Sequence, residues 1–209
     1  MKRISSLTYV LVVAALLTLP AVSFAGVPSD RVKSATDKVI EILKDPSLKG
    51  PSKEDQKRKK IRAAVSEVFD FSEMAKRSLG MFWKDRTPAQ KAEFTGLFTD
   101  LIERSYINRI EGYSNEKIVF DGETADKDYA VVKTRFINRR QEEIPVDYKL
   151  FSDNGQWRVY DVVIENVGLV NNYRVQFNKI IRGSGYDDLI RKMKSKSETE
   201  NFEAPSAKK

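Results

Sequence analysis

The segment Trp157–Ile181, WRVYDVVIENVGLVNNYRVQFNKII, changes its period halfway along. Trp157–Ile164 carries apolar side chains at both parities: Trp157, Val159 and Val163 alternate with Tyr160, Val162 and Ile164. A strand with one wet face shows cleaner alternation, so this one needs cover on both sides. After Gly168 the spacing becomes helical, with Leu169, Tyr173, Phe177 and Ile180/Ile181 on one face. Asp161 interrupts the apolar run on the expected face of Trp157 and Val159. A buried carboxylate there needs a partner, and Arg174, Arg135 and Arg158 are the candidates.

Upstream, the same period of two gives three more strands. Lys117–Phe120 is short and ends at Asp121-Gly122. Tyr129–Ile137 is longer, and Ile144–Phe151 ends at the turn Asp153-Asn154-Gly155. Short connections predict a four-stranded, mostly antiparallel sheet. Tyr129 and Val131 alternate with Ala130, Val132 and Phe136, again apolar on both faces. Two readings fit: ordinary core packing, or a sheet wrapped around an apolar guest. Periodicity does not choose between them.

Helices precede and follow the sheet, so the class is α+β. Residues 28–44 start at Pro28 and end before Asp45-Pro46. A second helix follows Ser52, with Ile61, Val65 and Val68 as its stripe and the run KRKKIR, Lys57–Arg62, facing solvent. A short helix lies within Phe69–Trp83 and ends near Gly80. Thr87, Pro88 and Gln90 form a capping box for a long helix whose apolar face takes in Phe94, Leu97/Phe98, Leu101/Ile102 and Ser105/Tyr106. A last helix is expected to be capped by Ser184, with Asp187 at the box position. The expected organisation is a signal segment 1–25 and a domain 26–195, then a disordered tail 196–209. Within the domain, a helical part spans 28–113, the sheet 117–164 and the C-terminal helices 169–194.

The first residues read as a secretory signal: Lys2 and Arg3, an apolar run over Tyr9–Leu17, and small residues Ser23 and Ala25 before the cut. That marks the mature chain for export. Export argues against nucleic acid as a partner of the +7 chain. The chain has no His and no Cys. Zinc sites, Ser-His-Asp triads and Cys-His pairs are therefore excluded, and no metal ligand set or cofactor is expected. A carboxylate site such as Asp161 with a neighbouring tyrosine stays open.

Trp157, Arg158, Val159, Tyr160, Asp161 and Val162, followed by Tyr173, Arg174 and Phe177, resemble the MlaC/toluene-tolerance family of Gram-negative periplasmic phospholipid-transport proteins. Asn166 stands where that family usually has Gly, and Gly168 where it has Ser. Phe69-Asp70, Met74, Leu79-Gly80, Trp83, Phe94, Phe98, Leu101, Tyr106, Tyr113, Val132, Thr134, Tyr148-Lys149-Leu150, Gly185-Tyr186 and Leu189-Ile190 extend the likeness over roughly residues 30–193. The resemblance implies an NTF2-like curved sheet packed by helices around a deep apolar pocket for phospholipid tails. It also implies two partners: an MCE-domain protein of an inner-membrane ABC transporter and an outer-membrane lipoprotein–porin complex.

On that reading Tyr106, Val132, Tyr148, Leu150, Val159, Val163, Leu169 and Phe177 are the expected pocket wall. Asp161 and Arg174 are expected structural polar residues. Arg139, Arg140, Lys57 and Lys59 are expected docking charges. Two acyl chains of sixteen carbons bring on the order of 25 kcal/mol of gross burial, most of it offset by ordering. The rival functions are an enzyme on the same architecture, using Asp161 and a tyrosine, and a periplasmic interaction protein without cargo.

Overall fold

The computed structural model describes residues 27–113, 115–195 and Phe202. The expected signal segment, and the expected tail apart from Phe202, lie outside the described residues. Six helices and five strands follow in the order α1 (Pro28–Lys44), α2 (Glu54–Ser66), α3 (Phe71–Leu79), α4 (Pro88–Glu111), β1 (Lys117–Asp126), β2 (Tyr129–Ile137), β3 (Glu143–Asp153), β4 (Gln156–Ile164), β5 (Val167–Gly168), α5 (Leu169–Ser184) and α6 (Tyr186–Lys194).

The strands form one antiparallel meander in the order β1-β2-β3-β4-β5. The sheet thus has five strands rather than the expected four. It is also open rather than curled, because β1 and β5 stand at opposite edges and do not pair. The fifth strand is two residues long, too short to leave a period in the sequence. It exists because Glu165 and Asn166 both take positive φ, 49° and 69°. That is the two-residue hairpin geometry whose twist suits flanking strands, and it returns Val167 onto Ile164 and Gly168 onto Val163. The first strand does not stop at Asp121-Gly122 either. It continues to Asp126 through a bulge in which Gly122 takes φ 120°.

A second bulge, in β4, governs which side chains face inward. Lys149 pairs with Asp161, but Leu150 pairs with Val159, so Tyr160 is the extra residue. Opposite residues in an antiparallel pair share a face. The inner face is therefore Ala130, Val132 and Thr134 on β2, Val146, Tyr148 and Leu150 on β3, and Val159 and Val162 on β4. Asp161 and Val163 fall on the outer face, not with Trp157 and Val159 as simple alternation predicts.

Two cores result. In one, Val32 and Ala35 of α1, with Val68, cover the inner sheet face. The α1 amino terminus is fixed there because the Ser29 N–H and hydroxyl both donate to Glu123 Oε2, at 2.7 and 2.6 Å. A carboxylate at that helix end is also favoured by the helix dipole. The other core is helical. Met74, Leu79, Phe94, Phe98, Leu101, Tyr173, Phe177, Leu189 and Met193 bring α3, α4, α5 and α6 together. Phe98 meets Tyr173 edge-on at 5.9 Å, and Phe94 meets Phe177 at 5.6 Å. Phe202 is buried here, edge-on to Phe177 at 5.7 Å.

The helix ends follow local chemistry. Thr87 and Gln90 close the capping box of α4 in both directions, at 3.0 and 3.2 Å. Asp70 caps α3 by accepting the Glu73 N–H. Gly80 ends α3 at φ 61°, and a Cβ there would touch the Arg174 stem at 3.6 Å. At the α5–α6 junction Gly185, at φ 87°, does the work expected of Ser184, and α6 has no side-chain cap.

Candidate functional site

The two cores meet along a seam of half-buried aromatic rings. Phe69 packs against both. Its backbone is locked to β4: the Val159 N–H donates to the Val68 carbonyl at 2.9 Å, and the Asp70 N–H to the Val159 carbonyl at 2.8 Å. From Phe69 the rings run one way to Tyr148 on the sheet, edge-on at 6.3 Å, and the other way to Phe71, stacked at 6.0 Å.

Phe71 opens onto an apolar cleft between α2 and α4. Ile61 and Val65 of α2 face Ile102, Tyr106 and Ile110 of α4 across a cavity of about 70 Å³. The spacing explains why α4 can do this. Its apolar face is too broad for one neighbour: Phe94, Phe98 and Leu101 are sealed in the helical core, while Ile102, Tyr106 and Ile110 lie along the adjacent edge and stay half-buried.

Polar groups are concentrated at the rim. The Arg58 guanidinium reaches Glu111 of α4 at 3.0 Å, and Lys57 reaches the same carboxylate at 3.1 Å. Arg62 meets Asp100 at 2.7 Å and also pairs with Glu103. Arg58, Arg62 and Glu103 line both the cleft and an open polar hollow above it, which Asp55 and Lys59 complete. Burial alone would raise the Glu111 carboxyl, but the hydrogen bonds from Arg58 and Lys57 overcome this and hold it below its ordinary value. Ion pairs thus tie α2 to α4 over a greasy floor.

Two tyrosines at the seam are strongly desolvated. Burial pushes the Tyr148 hydroxyl up to about 12, although the ring is only half-buried by surface area. The Tyr106 hydroxyl is raised further, chiefly by burial and then by Tyr173, against a smaller lowering by Arg109. It is buried without a hydrogen-bond partner among the described residues. An orphaned buried hydroxyl is costly, and this one lies on the cleft wall.

Of the eight expected wall residues, the structure brings only Tyr106 and Tyr148 to the seam and cleft. Val132, Leu150 and Val159 are sealed in the sheet core, and Leu169 and Phe177 in the helical core. Val163 is on the outer sheet face. Among the described residues these side chains are therefore divided between two cores and do not face one common space. The 70 Å³ cleft is well below the roughly 300–1,000 Å³ of a ligand pocket. Ile61, Val65, Phe71, Ile102 and Ile110 take the lining role instead. Ile61 and Val65 belong to the α2 stripe and Ile102 to the broad α4 face, whereas no period in the sequence marks Phe71 or Ile110.

The polar expectations also shift. Asp161 Oδ1 accepts the Val170 N–H at 2.9 Å, and Oδ2 lies 3.7 Å from Lys149, its cross-strand neighbour. Burial raises this carboxyl, with the Val170 hydrogen bond and the Lys149 charge partly opposing. Arg174 is elsewhere, donating through Nε to the Arg77 carbonyl at 2.9 Å. Arg135 pairs with Asp121 and Glu143, and Arg158 lies 3.8 Å from Asp70. Arg139 and Arg140 are exposed on the β2–β3 connection, and Lys59 is exposed on α2. Among the described residues, no group of Asp and Glu side chains is placed to hold a metal ion, and no helix is long and apolar enough to cross a membrane.

The fold and sequence have close parallels. The phospholipid-binding protein from Ralstonia solanacearum, solved in complex with a phospholipid, superimposes with a TM-score of 0.74 over 85% of this chain and 99% of that one, at 24% identity. The intermembrane phospholipid transport system binding protein MlaC of Haemophilus influenzae is 26% identical over 197 residues, 92% of this chain and 91% of the relative. The toluene tolerance protein ttg2D of Pseudomonas putida is 24% identical over 165 residues, 78% of this chain and 77% of the relative. The family model described as MlaC protein matches residues 33–195, well over half of the sequence, and the chain belongs to the MlaC family.

Proposed function

We propose that this protein is a soluble periplasmic phospholipid carrier with no catalytic role. The observation that carries the reading is the apolar cleft between α2 and α4, bordered by Phe71 and rimmed by arginines. A lipid presents the matching combination: hydrocarbon below, a charged phosphate above.

The cleft is too small for acyl chains as it stands, so loading must enlarge it. The two-core architecture makes this possible. Parting α2 and α4, and sliding Phe71 and Phe69 from between the cores, creates space without opening either close-packed interior. Each buried CH₂ of the cargo contributes roughly 0.8 kcal/mol toward that rearrangement. The emptied protein recloses on its aromatic seam, which favours release. The relatives named above, one called a phospholipid transport binding protein and one solved with a phospholipid, support the same reading.

The enzyme alternative fits the geometry poorly. Asp161, its expected acid or base, faces away from the cleft and is occupied by Val170 and Lys149. The cargo-free alternative leaves the cleft and the orphaned Tyr106 hydroxyl without a role. Extraction of gently purified protein with organic solvent, followed by mass spectrometry, separates the readings. Near-stoichiometric phospholipid is expected, and its absence would overturn the carrier.

Residues 1–25 direct export, and 26–195 form the lipid-binding domain followed by a polar tail. The carrier exchanges lipid with an MCE-domain protein of an inner-membrane ABC transporter and with an outer-membrane lipoprotein–porin complex. Arg139, Arg140, Lys57 and Lys59 steer those encounters, as rim charges do. Reversing Arg139 and Arg140 should slow transfer to acceptor membranes while lipid content stays constant; an unchanged rate removes them from this role.

A further inference from the structure

The rim of the cleft carries both signs of charge in an unequal distribution. Glu111 is the more enclosed carboxylate, 15% exposed, and it is held by two cations, Lys57 and Arg58. Arg62 has the opposite arrangement: one cation serves two carboxylates, Asp100 and Glu103, and its side chain and that of Asp100 are each 45% exposed. Exposed pairs of this kind are weak and exchange readily. The Glu111 cluster is the more enclosed end of the α2–α4 contact and the Arg62 cluster the more exposed one, although Glu103 is 26% exposed.

Whatever displaces the α4 carboxylates from Arg62 must also deal with those carboxylates. A phosphate alone would leave Asp100 and Glu103 facing a like charge beside the cleft mouth. A head group with a phosphate and an ammonium removes the conflict, because each charge of the head group replaces one partner of the broken pair. The residues involved already adjoin the apolar floor: Arg62 and Glu103 line the cleft itself, together with Ile61, Ile102 and Tyr106.

We propose that the cleft mouth selects a zwitterionic head group, with the Arg62 guanidinium taking the phosphate and the released Asp100 and Glu103 carboxylates taking the ammonium. The inference rests on the carrier reading and adds the class of lipid carried. Guanidinium groups suit phosphate through paired N–H donors. An anionic lipid such as phosphatidylglycerol can satisfy Arg62 but not the carboxylates, so it loads less well.

The test offers the full-length protein vesicles of equal phosphatidylethanolamine and phosphatidylglycerol. The protein is separated and extracted, and the ratio of the two lipids on it is read by mass spectrometry. Enrichment of phosphatidylethanolamine by about two- to fivefold over the vesicle ratio is expected, the size of one or two exposed ion pairs. In the double variant Asp100→Asn, Glu103→Gln the ratio should fall to that of the vesicles. Because the ratio is taken within one preparation, partial loss of folded protein does not move it. A wild-type ratio equal to that of the vesicles, or enrichment that survives in the double variant, overturns the selection. Failure of the wild type to load either lipid is a different result and defeats the carrier reading itself.

Discussion

The Val170 N–H of α5 donates to the Asp161 carboxylate of β4 at 2.9 Å, so a strand residue caps the helix that begins eight positions later. Gly168, at the helix N-cap, has no side chain to do so. A Cβ at that position would lie 3.1 Å from Asp161 Oδ2, so the missing side chain also leaves room for the carboxylate. Position 168 and Asp161 therefore act together.

This pairing has a pH signature. The Asp161 carboxyl is raised above its ordinary value, mainly by burial, so the native state binds that proton more tightly than the unfolded chain. Its contribution to stability then declines as pH rises from the ordinary aspartate range through the raised folded value. Asp161→Asn keeps the acceptor for Val170 and removes the charge. Denaturant titrations should show the Asn variant gaining on the wild type across that window and holding a constant lead above it. Asp161→Ala, which removes the cap, should cost about 0.5–2 kcal/mol. An Asn variant clearly less stable than the wild type at neutral pH would mean that the charge itself stabilises the fold.

Core and cleft residues should separate on two measurements. Phe98 is sealed in the helical core and Ile102, four positions later, borders the cleft. Phe98→Ala should cost about 3–5 kcal/mol of unfolding free energy. Ile102→Ala should cost less than about 2 kcal/mol, because its side chain already faces space, and should reduce the lipid recovered per protein. Similar stability losses with unchanged lipid would place Ile102 in ordinary packing.

Tyr106→Phe deletes a buried hydroxyl that has no partner among the described residues. Removing an unsatisfied buried group should leave stability unchanged or raise it, by up to about 1–3 kcal/mol. If the hydroxyl meets an ester oxygen of the cargo, the lipid-loaded form should gain less than the emptied one. Thermal melts of both forms, compared between wild type and variant, read the difference. A destabilised empty variant would show that the hydroxyl has a partner after all.

The α4 cap serves as a control remote from the cleft. Thr87→Ala removes the hydroxyl that accepts the Gln90 N–H, leaving only the Thr87 N–H to Gln90 arm of the capping box, and should cost about 1 kcal/mol while leaving lipid content as it was. Loss of lipid in this variant would tie the start of α4 to the cleft.

Local chemistry made much of the fold legible. The Thr87-Gln90 box, the Asn154-Gly155 turn and the apolar stripes of α2 and α5 act over a few residues and leave a readable pattern. The unreadable parts depend on distant partners. The β5 strand is two residues long and forms only because Glu165 and Asn166 turn back onto β4. The run Lys57–Arg62 looked like a solvated surface because Asp100, Glu103 and Glu111 lie about forty or more residues downstream, and an ion pair across that separation has no period. The expected wall residues fall into two separate cores for a related reason. Apolar spacing marks burial but does not distinguish a side chain pressed against its own core from one that borders a gap.

The bulge at Tyr160 gives β4 one residue more than its ladder needs. Val159 and Val162 point to the same side although three positions separate them. Excising Tyr160 would return the strand to strict two-residue alternation with every later side chain still on its present side. What would be lost is the outer aromatic contact with Tyr129 and Phe151 and the seat of Arg77 over the ring. A one-codon deletion, normally ruinous inside a central strand, should here leave the interior unscrambled and alter only the molecule's outer skin.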